Sequence, residues 1–184
     1  MLVKDREFDL FISEETILSR VQVLAQQIDR DYAQEPPILV AVLNGAFMFT
    51  ADLARRISVP TEITFIKIKS YQQFESTGQH KEYIGLEVPI QNRHVIVVED
   101  IVDSGNTMHY LLQQFAPQNP KSVAITSLLF KPEALTRDIQ LTYVGFEIPN
   151  DFVVGYGLDY DGYGRNLRSI YTLADSSSDG QKAT

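Results

Sequence analysis

Ile38 to Leu43 is an unbroken apolar run of strand length, followed at once by Asn44-Gly45 and then by a segment, Ala46 to Ile57, that reads as a helix. A run with no polar alternation suits a strand buried on both faces, and such strands belong to parallel sheets covered by helices on either side. The pattern recurs along the chain. Thr61 to Ser70, His94 to Val98 and Val123 to Phe130 read as strands, with Thr107 to Phe115 as a helix between the last two. This alternation predicts an α/β fold with a mostly parallel central sheet flanked by helices. Tyr143 to Ile148, Phe152 to Tyr156 and Ser169 to Leu173 read as further short strands.

Ahead of the first run, Ser13 has the character of an N-cap. Ile17, Val21, Leu24 and Ile28 follow at helical spacing, with Glu14 and Glu15 in the first turn, which predicts a helix to about Tyr32, closed by Pro36-Pro37. The chain has 184 residues, 44% of them hydrophobic, enough for one domain, expected over residues 1–174. Residues 175–184, rich in Ser, Asp and Gly, read as a disordered tail, and Tyr71 to Lys81 as a polar loop without pattern.

A formal charge of −8 disfavours long-range capture of nucleic acid or of an anionic membrane, both of which call for a basic footprint. With no cysteine, disulfides, thiolate zinc clusters and thiol nucleophiles are excluded. No apolar run approaches the roughly 20 residues that span a bilayer, and the charged start, Met1 to Asp9, lacks the apolar centre of a signal peptide. A cytoplasmic location is the expectation.

The chemistry concentrates in Val97 to Met108. If the strand ends as its apolar run does, Glu99 and Asp100 stand at the carboxyl end of a parallel strand, where open α/β sheets place their ligands. Asp103 to Thr107 (Asp-Ser-Gly-Asn-Thr) then offers a glycine for close backbone approach, two hydroxyls, and free amides where a helix begins. Acids beside a phosphate cradle suit a sugar phosphate, whose hydroxyls donate to carboxylates. The same residues are also ordinary turn chemistry, and Asp103 alone could be a helix cap.

Val97-Val98-Glu99-Asp100-Ile101-Val102-Asp103-Ser104-Gly105-Asn106-Thr107 closely resembles the phosphoribosyl-pyrophosphate-binding motif of the type I phosphoribosyltransferases. Further stretches resemble the hypoxanthine (hypoxanthine-guanine) branch of that family: Leu43-Asn44-Gly45-Ala46-Phe47 with Ala51-Asp52-Leu53, Lys69-Ser70-Tyr71 with Ser76-Thr77-Gly78, Leu128 to Lys131, and Val144 to Tyr160. Together they cover most of residues 38–168. The resemblance implies a type I phosphoribosyltransferase fold with a small hood and a flexible catalytic loop. It implies a purine-salvage transferase moving the 5-phosphoribosyl group from phosphoribosyl pyrophosphate to hypoxanthine, and to guanine, giving IMP or GMP and pyrophosphate, with magnesium as cofactor. The partners implied are small-molecule substrates, with no nucleic acid and no membrane, in a homodimer or homotetramer.

Residue by residue, the resemblance makes Asp103 the base for the purine proton and gives Glu99 and Asp100 to the ribose hydroxyls, directly or through magnesium. Ser104, Gly105, Asn106 and Thr107 would hold the 5-phosphate. Leu43, Asn44, Gly45 and Arg165 would meet pyrophosphate, and Asp159 its magnesium. Lys131 would donate to the purine 6-oxygen, Phe152 would stack on the base and the Val153 backbone would read its other edge. Ser70 and Tyr71 would form the lid. A cis peptide is implied between Leu43 and Asn44. Asn44 stands where many relatives carry lysine or arginine, so weaker pyrophosphate binding is expected. Two rivals remain at this point: a regulatory protein on the same fold that senses phosphoribosyl pyrophosphate and binds nucleic acid, and a transferase for another base, with adenine disfavoured by Lys131.

Overall fold

The computed structural model of the chain describes residues 1–70 and 81–174. Its centre is a six-stranded sheet built from β3 (Ile38–Leu43), β4 (Glu62–Ser70), β5 (Lys81–Ile84), β6 (His94–Val102), β7 (Ser122–Phe130) and β8 (Tyr143–Glu147), in the order β5-β4-β3-β6-β7-β8. All neighbours are parallel except β5, which runs antiparallel to β4. Three helices, α1 (Glu14–Asp31), α2 (Phe47–Ala54) and α3 (Asn106–Phe115), cover it.

The lack of alternation in β3 follows from its place in the middle. Leu39 and Ala41 join one core with Ile17, Val21, Leu24 and Phe49 of α1 and α2, while Ile38, Val40 and Val42 join another with Met108, Leu111 and Phe115 of α3. Both faces are dry, so neither can be polar. The Ser13 hydroxyl caps α1, accepting from the Thr16 amide at 3.2 Å. Helix α2 is shorter than the sequence suggests: its last turn tightens, with the Arg56 and Ile57 amides both reaching the Leu53 carbonyl at 3.0 Å, and the helix ends at Ala54.

Strand β6 is longer than its apolar run. The ladder with β7 continues through Glu99↔Ser127, Ile101↔Leu129 and Val102↔Phe130, so Glu99 and Asp100 lie within the strand and not after it. The N-terminal segment, featureless as sequence, forms β1 (Leu2–Val3) and β2 (Arg6–Ile12), and β2 pairs with β10 (Ile170–Leu173), which pairs with β9 (Val153–Val154). This small sheet is a hood beside the main one, with Phe8 fully buried beneath it.

The chain passes from β3 to β4 on one side, while β6, β7 and β8 extend the sheet on the other. The order therefore reverses between β3 and β6, where the carboxyl ends of two diverging strands leave a crevice. Tyr71 and the tail from residue 175 lie outside the described residues, and Ser70 is described only as the end of β4, paired with Lys81.

Candidate active site

The crevice between β3 and β6 is a cavity of about 310 Å³ whose walls include Leu43, Gly45, Glu99, Asp100, Thr107, Asp159 and Arg165. These residues come from three separate stretches of sequence, 43–45, 99–107 and 159–165. The Leu43-Asn44 peptide is cis, as expected. Gly45 is there because nothing larger fits: a Cβ on it would lie 1.6 Å from Oδ2 of Asp100. Gly157 presses on the same loop from the other side, since its Cβ would lie 2.1 Å from the Gly45 carbonyl oxygen.

The acid pair is buried, Glu99 at 7% and Asp100 at 9% exposure. Burial, and then the charge of Asp100 beside it, push the Glu99 carboxyl well above the usual carboxylate range. An acid held in this state waits for a partner able to share its charge or donate to it.

Beyond the acids, Asp103 to Met108 turn around a smaller hollow of about 100 Å³. Gly105 occupies the position just before α3 with φ +79°, a left-handed conformation that glycine adopts without strain. The side chain that reaches the start of this helix is that of Ser104 and not Asp103: Ser104 Oγ accepts from the Asn106 amide at 3.5 Å. Asp103 faces instead toward Lys131, whose ammonium lies 3.7 Å from Asp103 Oδ2. Lys131 follows β7 directly and is only 7% exposed, so it is not a solvated strand-end lysine.

Across the cavity, Asp159 accepts from the Arg165 guanidinium at 2.5 Å through Oδ1 and from the Gly162 amide at 2.7 Å through Oδ2. Arg165 also donates to the Gly157 carbonyl at 2.7 Å. Phe152 lies on the hood, 48% exposed, with its ring centroid 6.3 Å from Phe8 and 5.8 Å edge-on from Tyr160. About half of it thus stays accessible, while neighbouring Val153 is buried in β9.

The donors on these walls are hard oxygens, which suits magnesium, but among the described residues no three His, Cys, Asp or Glu side chains gather around one point. Magnesium habitually takes one or two carboxylates and completes its shell with water and substrate oxygens, so Glu99, Asp100 and Asp159 fit that style of site.

Three further contributions were not assigned from the sequence. Lys67, the cross-strand partner of Leu43, donates to Asn44 Oδ1 at 3.2 Å, so the Asn44 side chain is engaged on the strand and its backbone is what serves the loop. The Tyr156 hydroxyl donates to Asp52 Oδ2 at 2.7 Å, joining the loop that leads to Asp159 to the helix that begins at the Leu43–Gly45 turn. Burial and the Asp52 bond raise the Tyr156 phenol far above its usual range. Arg137, far along the chain, donates to Asn106 Oδ1 at 2.6 Å. A tyrosine between two glycines, and an aspartate inside the quoted Ala-Asp-Leu stretch, were the signals for the second pair; nothing local marks Lys67 or Arg137.

A profile of the phosphoribosyl transferase domain matches residues 13–161. A hypoxanthine-guanine phosphoribosyltransferase of Mycobacterium tuberculosis is 42% identical over 171 residues, 89% of this chain and 85% of that one. One of Streptococcus thermophilus is 40% identical over 176 residues, 95% of this chain and 97% of that one. Among solved structures, a hypoxanthine-guanine phosphoribosyltransferase of Bacillus anthracis superposes with a TM-score of 0.85 at 41% identity, covering 92% of this chain and 99% of the other.

Proposed function

Because the chain belongs to the hypoxanthine-guanine phosphoribosyltransferases, within the type I phosphoribosyltransferase family, we propose that the residues gathered at the β3–β6 crevice divide that family's reaction among them as follows. The enzyme acts in purine salvage, transferring the 5-phosphoribosyl group from phosphoribosyl pyrophosphate to hypoxanthine or guanine, with release of pyrophosphate. Its fold is the type I phosphoribosyltransferase fold.

The observation that carries the assignment of roles is the Lys131–Asp103 pair beside the Ser104–Thr107 turn. A 6-oxopurine whose oxygen accepts from the Lys131 ammonium lies next to Asp103, which takes the proton of the imidazole nitrogen on that side as the other imidazole nitrogen attacks the anomeric carbon. Lysine has only donors there, so an amino group at the same position is left without an acceptor. Phe152 stacks on the purine, and the Val153 backbone meets its other edge.

Glu99 and Asp100 accept from the ribose hydroxyls, and the amides and hydroxyls from Ser104 to Thr107 hold the 5-phosphate. The Leu43–Gly45 backbone and Arg165 receive the pyrophosphate end. Asp159, Glu99 and Asp100 would hold magnesium, which when bound spreads the negative charge of the departing pyrophosphate. Ser70 and Tyr71 are assigned to a lid that excludes water, and so favours purine over hydrolysis.

We further infer a homodimer or homotetramer in the cytoplasm. Ile63 and Phe65 project from the same face of β4 at 41% and 48% exposure, an apolar pair that a second copy would cover. Light scattering of the purified chain reads the assembly.

Pyrophosphate release with phosphoribosyl pyrophosphate, magnesium and hypoxanthine, guanine, xanthine or adenine tests the site assignment when wild type is compared with Lys131→Gln. Turnover should be strongest with hypoxanthine, then guanine, weak with xanthine and absent with adenine. A variant that keeps this ranking and its Michaelis constants would remove Lys131 from the purine site.

A further inference from the structure

We propose that Arg137 is a further phosphate-binding residue, a guanidinium held over the Ser104–Thr107 turn to meet the 5-phosphate of substrate and product. The inference rests on the reading of that turn as the phosphate cradle.

Arg137 lies in the segment between Lys131 and β8, thirty-one positions from the residue it touches. Two bonds fix its backbone to the turn: the Thr136 amide and the Thr136 hydroxyl both donate to the Ser104 carbonyl, each at 3.1 Å. Its stem lies over Gly105, where an added Cβ would come within 3.3 Å of Arg137 Cβ. A side chain at position 105 would press first on Leu135 and Ile139 and then on Arg137.

From that anchor the guanidinium begins a directed chain of hydrogen bonds. Arg137 Nε donates to Asn106 Oδ1 at 2.6 Å, and Asn106 Nδ2 donates to Ser104 Oγ at 3.0 Å. A serine oxygen that accepts in this way has its own proton free to point elsewhere. The cradle lies beside it, so the relay turns the Ser104 hydroxyl into a donor for an anion.

Among the described residues the charge itself has no acidic counterpart. Arg165 is paired with Asp159, Arg56 with Asp52, Arg93 with Glu62 and Lys131 with Asp103, whereas among the described residues Asn106 is the recorded partner of Arg137 and no carboxylate pairs with it. Using Nε on Asn106 leaves the two terminal nitrogens with four N–H groups, and a planar fork of this kind matches the oxygens of a phosphate. In a chain of charge −8, an arginine held in place by an amide and not by an acid is suited to a ligand that brings its own negative charge.

Titration calorimetry on the full chain separates this role from a structural one, with Arg137→Gln, Arg137→Lys and Thr107→Ala each titrated with IMP, inosine and pyrophosphate. Arg137→Gln should weaken IMP about 3- to 10-fold, the exposed position keeping the effect modest, and should flatten the salt dependence of IMP binding while inosine and pyrophosphate bind as in wild type. Arg137→Lys should recover part of the loss. IMP affinity and salt dependence unchanged in Arg137→Gln, or IMP and inosine weakened equally, would overturn the proposal. Thr107→Ala tests the cradle separately: if it leaves IMP binding intact, the cradle reading itself fails, whereas a loss there with none in Arg137→Gln removes Arg137 alone.

Discussion

The Lys131 ammonium lies 3.7 Å from the Asp103 carboxylate, although the two residues come from different strand ends and Lys131 is almost wholly buried. The pairing puts a donor for the purine oxygen and an acceptor for the purine proton within reach of one ring. Asp103→Asn should retain affinity for phosphoribosyl pyrophosphate and lower kcat by about 10²-fold or more, the usual contribution of a general base. Pre-steady-state turnover measures this, and an unchanged chemical step would remove Asp103 as the base.

Glu99 makes the apo protein's stability depend on pH in a specified direction. Unfolding restores the carboxyl to its ordinary value of 4.5, so the unfolded chain loses this proton at lower pH than the folded one. The contribution of Glu99 is therefore most favourable below that pH and declines as pH rises toward the folded-state value. Glu99→Gln should melt higher than wild type at pH 7 and nearly level with it at pH 4, each ~1 kcal/mol reading as roughly 2–4 °C. A melting difference independent of pH would contradict the burial argument. The same variant should lose activity, since the amide adds a donor where the ribose hydroxyls need acceptors.

Asn44 has a different consequence from the one its sequence position suggests. Its side chain already accepts from Lys67, so Asn44→Lys would set two ammonium groups together, one just past the end of β3 and one on β4. Pyrophosphate affinity should not improve in this variant, and Asn44→Lys combined with Lys67→Ala should bind more tightly than Asn44→Lys alone. Competition by pyrophosphate against phosphoribosyl pyrophosphate measures both. Tighter binding in the single variant would reinstate the sequence-based expectation.

Gly45→Ala would crowd the cavity wall at the acid pair. Its methyl group has no space beside Asp100, so either the acid or the loop must move. Overpacking of this kind costs about 1–3 kcal/mol, and the displaced group belongs to the proposed substrate site. The expected result is a lower melting temperature together with a rise of more than tenfold in KM for phosphoribosyl pyrophosphate; a lower melting temperature with an unchanged KM would place the cost in stability alone.

What could be read from the sequence, and what could not, divides by the range of the interaction. The bounds of β3 were legible because its dry environment forbids polar residues along its whole length. Helix α1 was legible because its cap and its buried stripe are local. The end of β6 was not, since a charged Glu-Asp pair looks like the close of a strand until the ladder from β7 is known to continue past it. Strand β2 was missed for a related reason: Arg6 to Ile12 acquires its strand character from β10, more than 150 positions away. In the site, motif residues were legible, while Lys67, Asp52 with Tyr156, and Arg137 act through partners that only the fold brings near.

The Tyr156–Asp52 bond has a bearing on how the enzyme meets its substrate. Helix α2 starts where the Leu43–Gly45 turn ends, and Tyr156 lies three residues ahead of Asp159, so the phenol–carboxylate contact, with the packing of Gly157 on the Gly45 carbonyl, ties together the two segments assigned to pyrophosphate and its metal. The gap between them is fixed by the protein before any ligand arrives. Less of the binding energy is then consumed in ordering the walls, and more is left to distinguish a ligand of the right length from a shorter one.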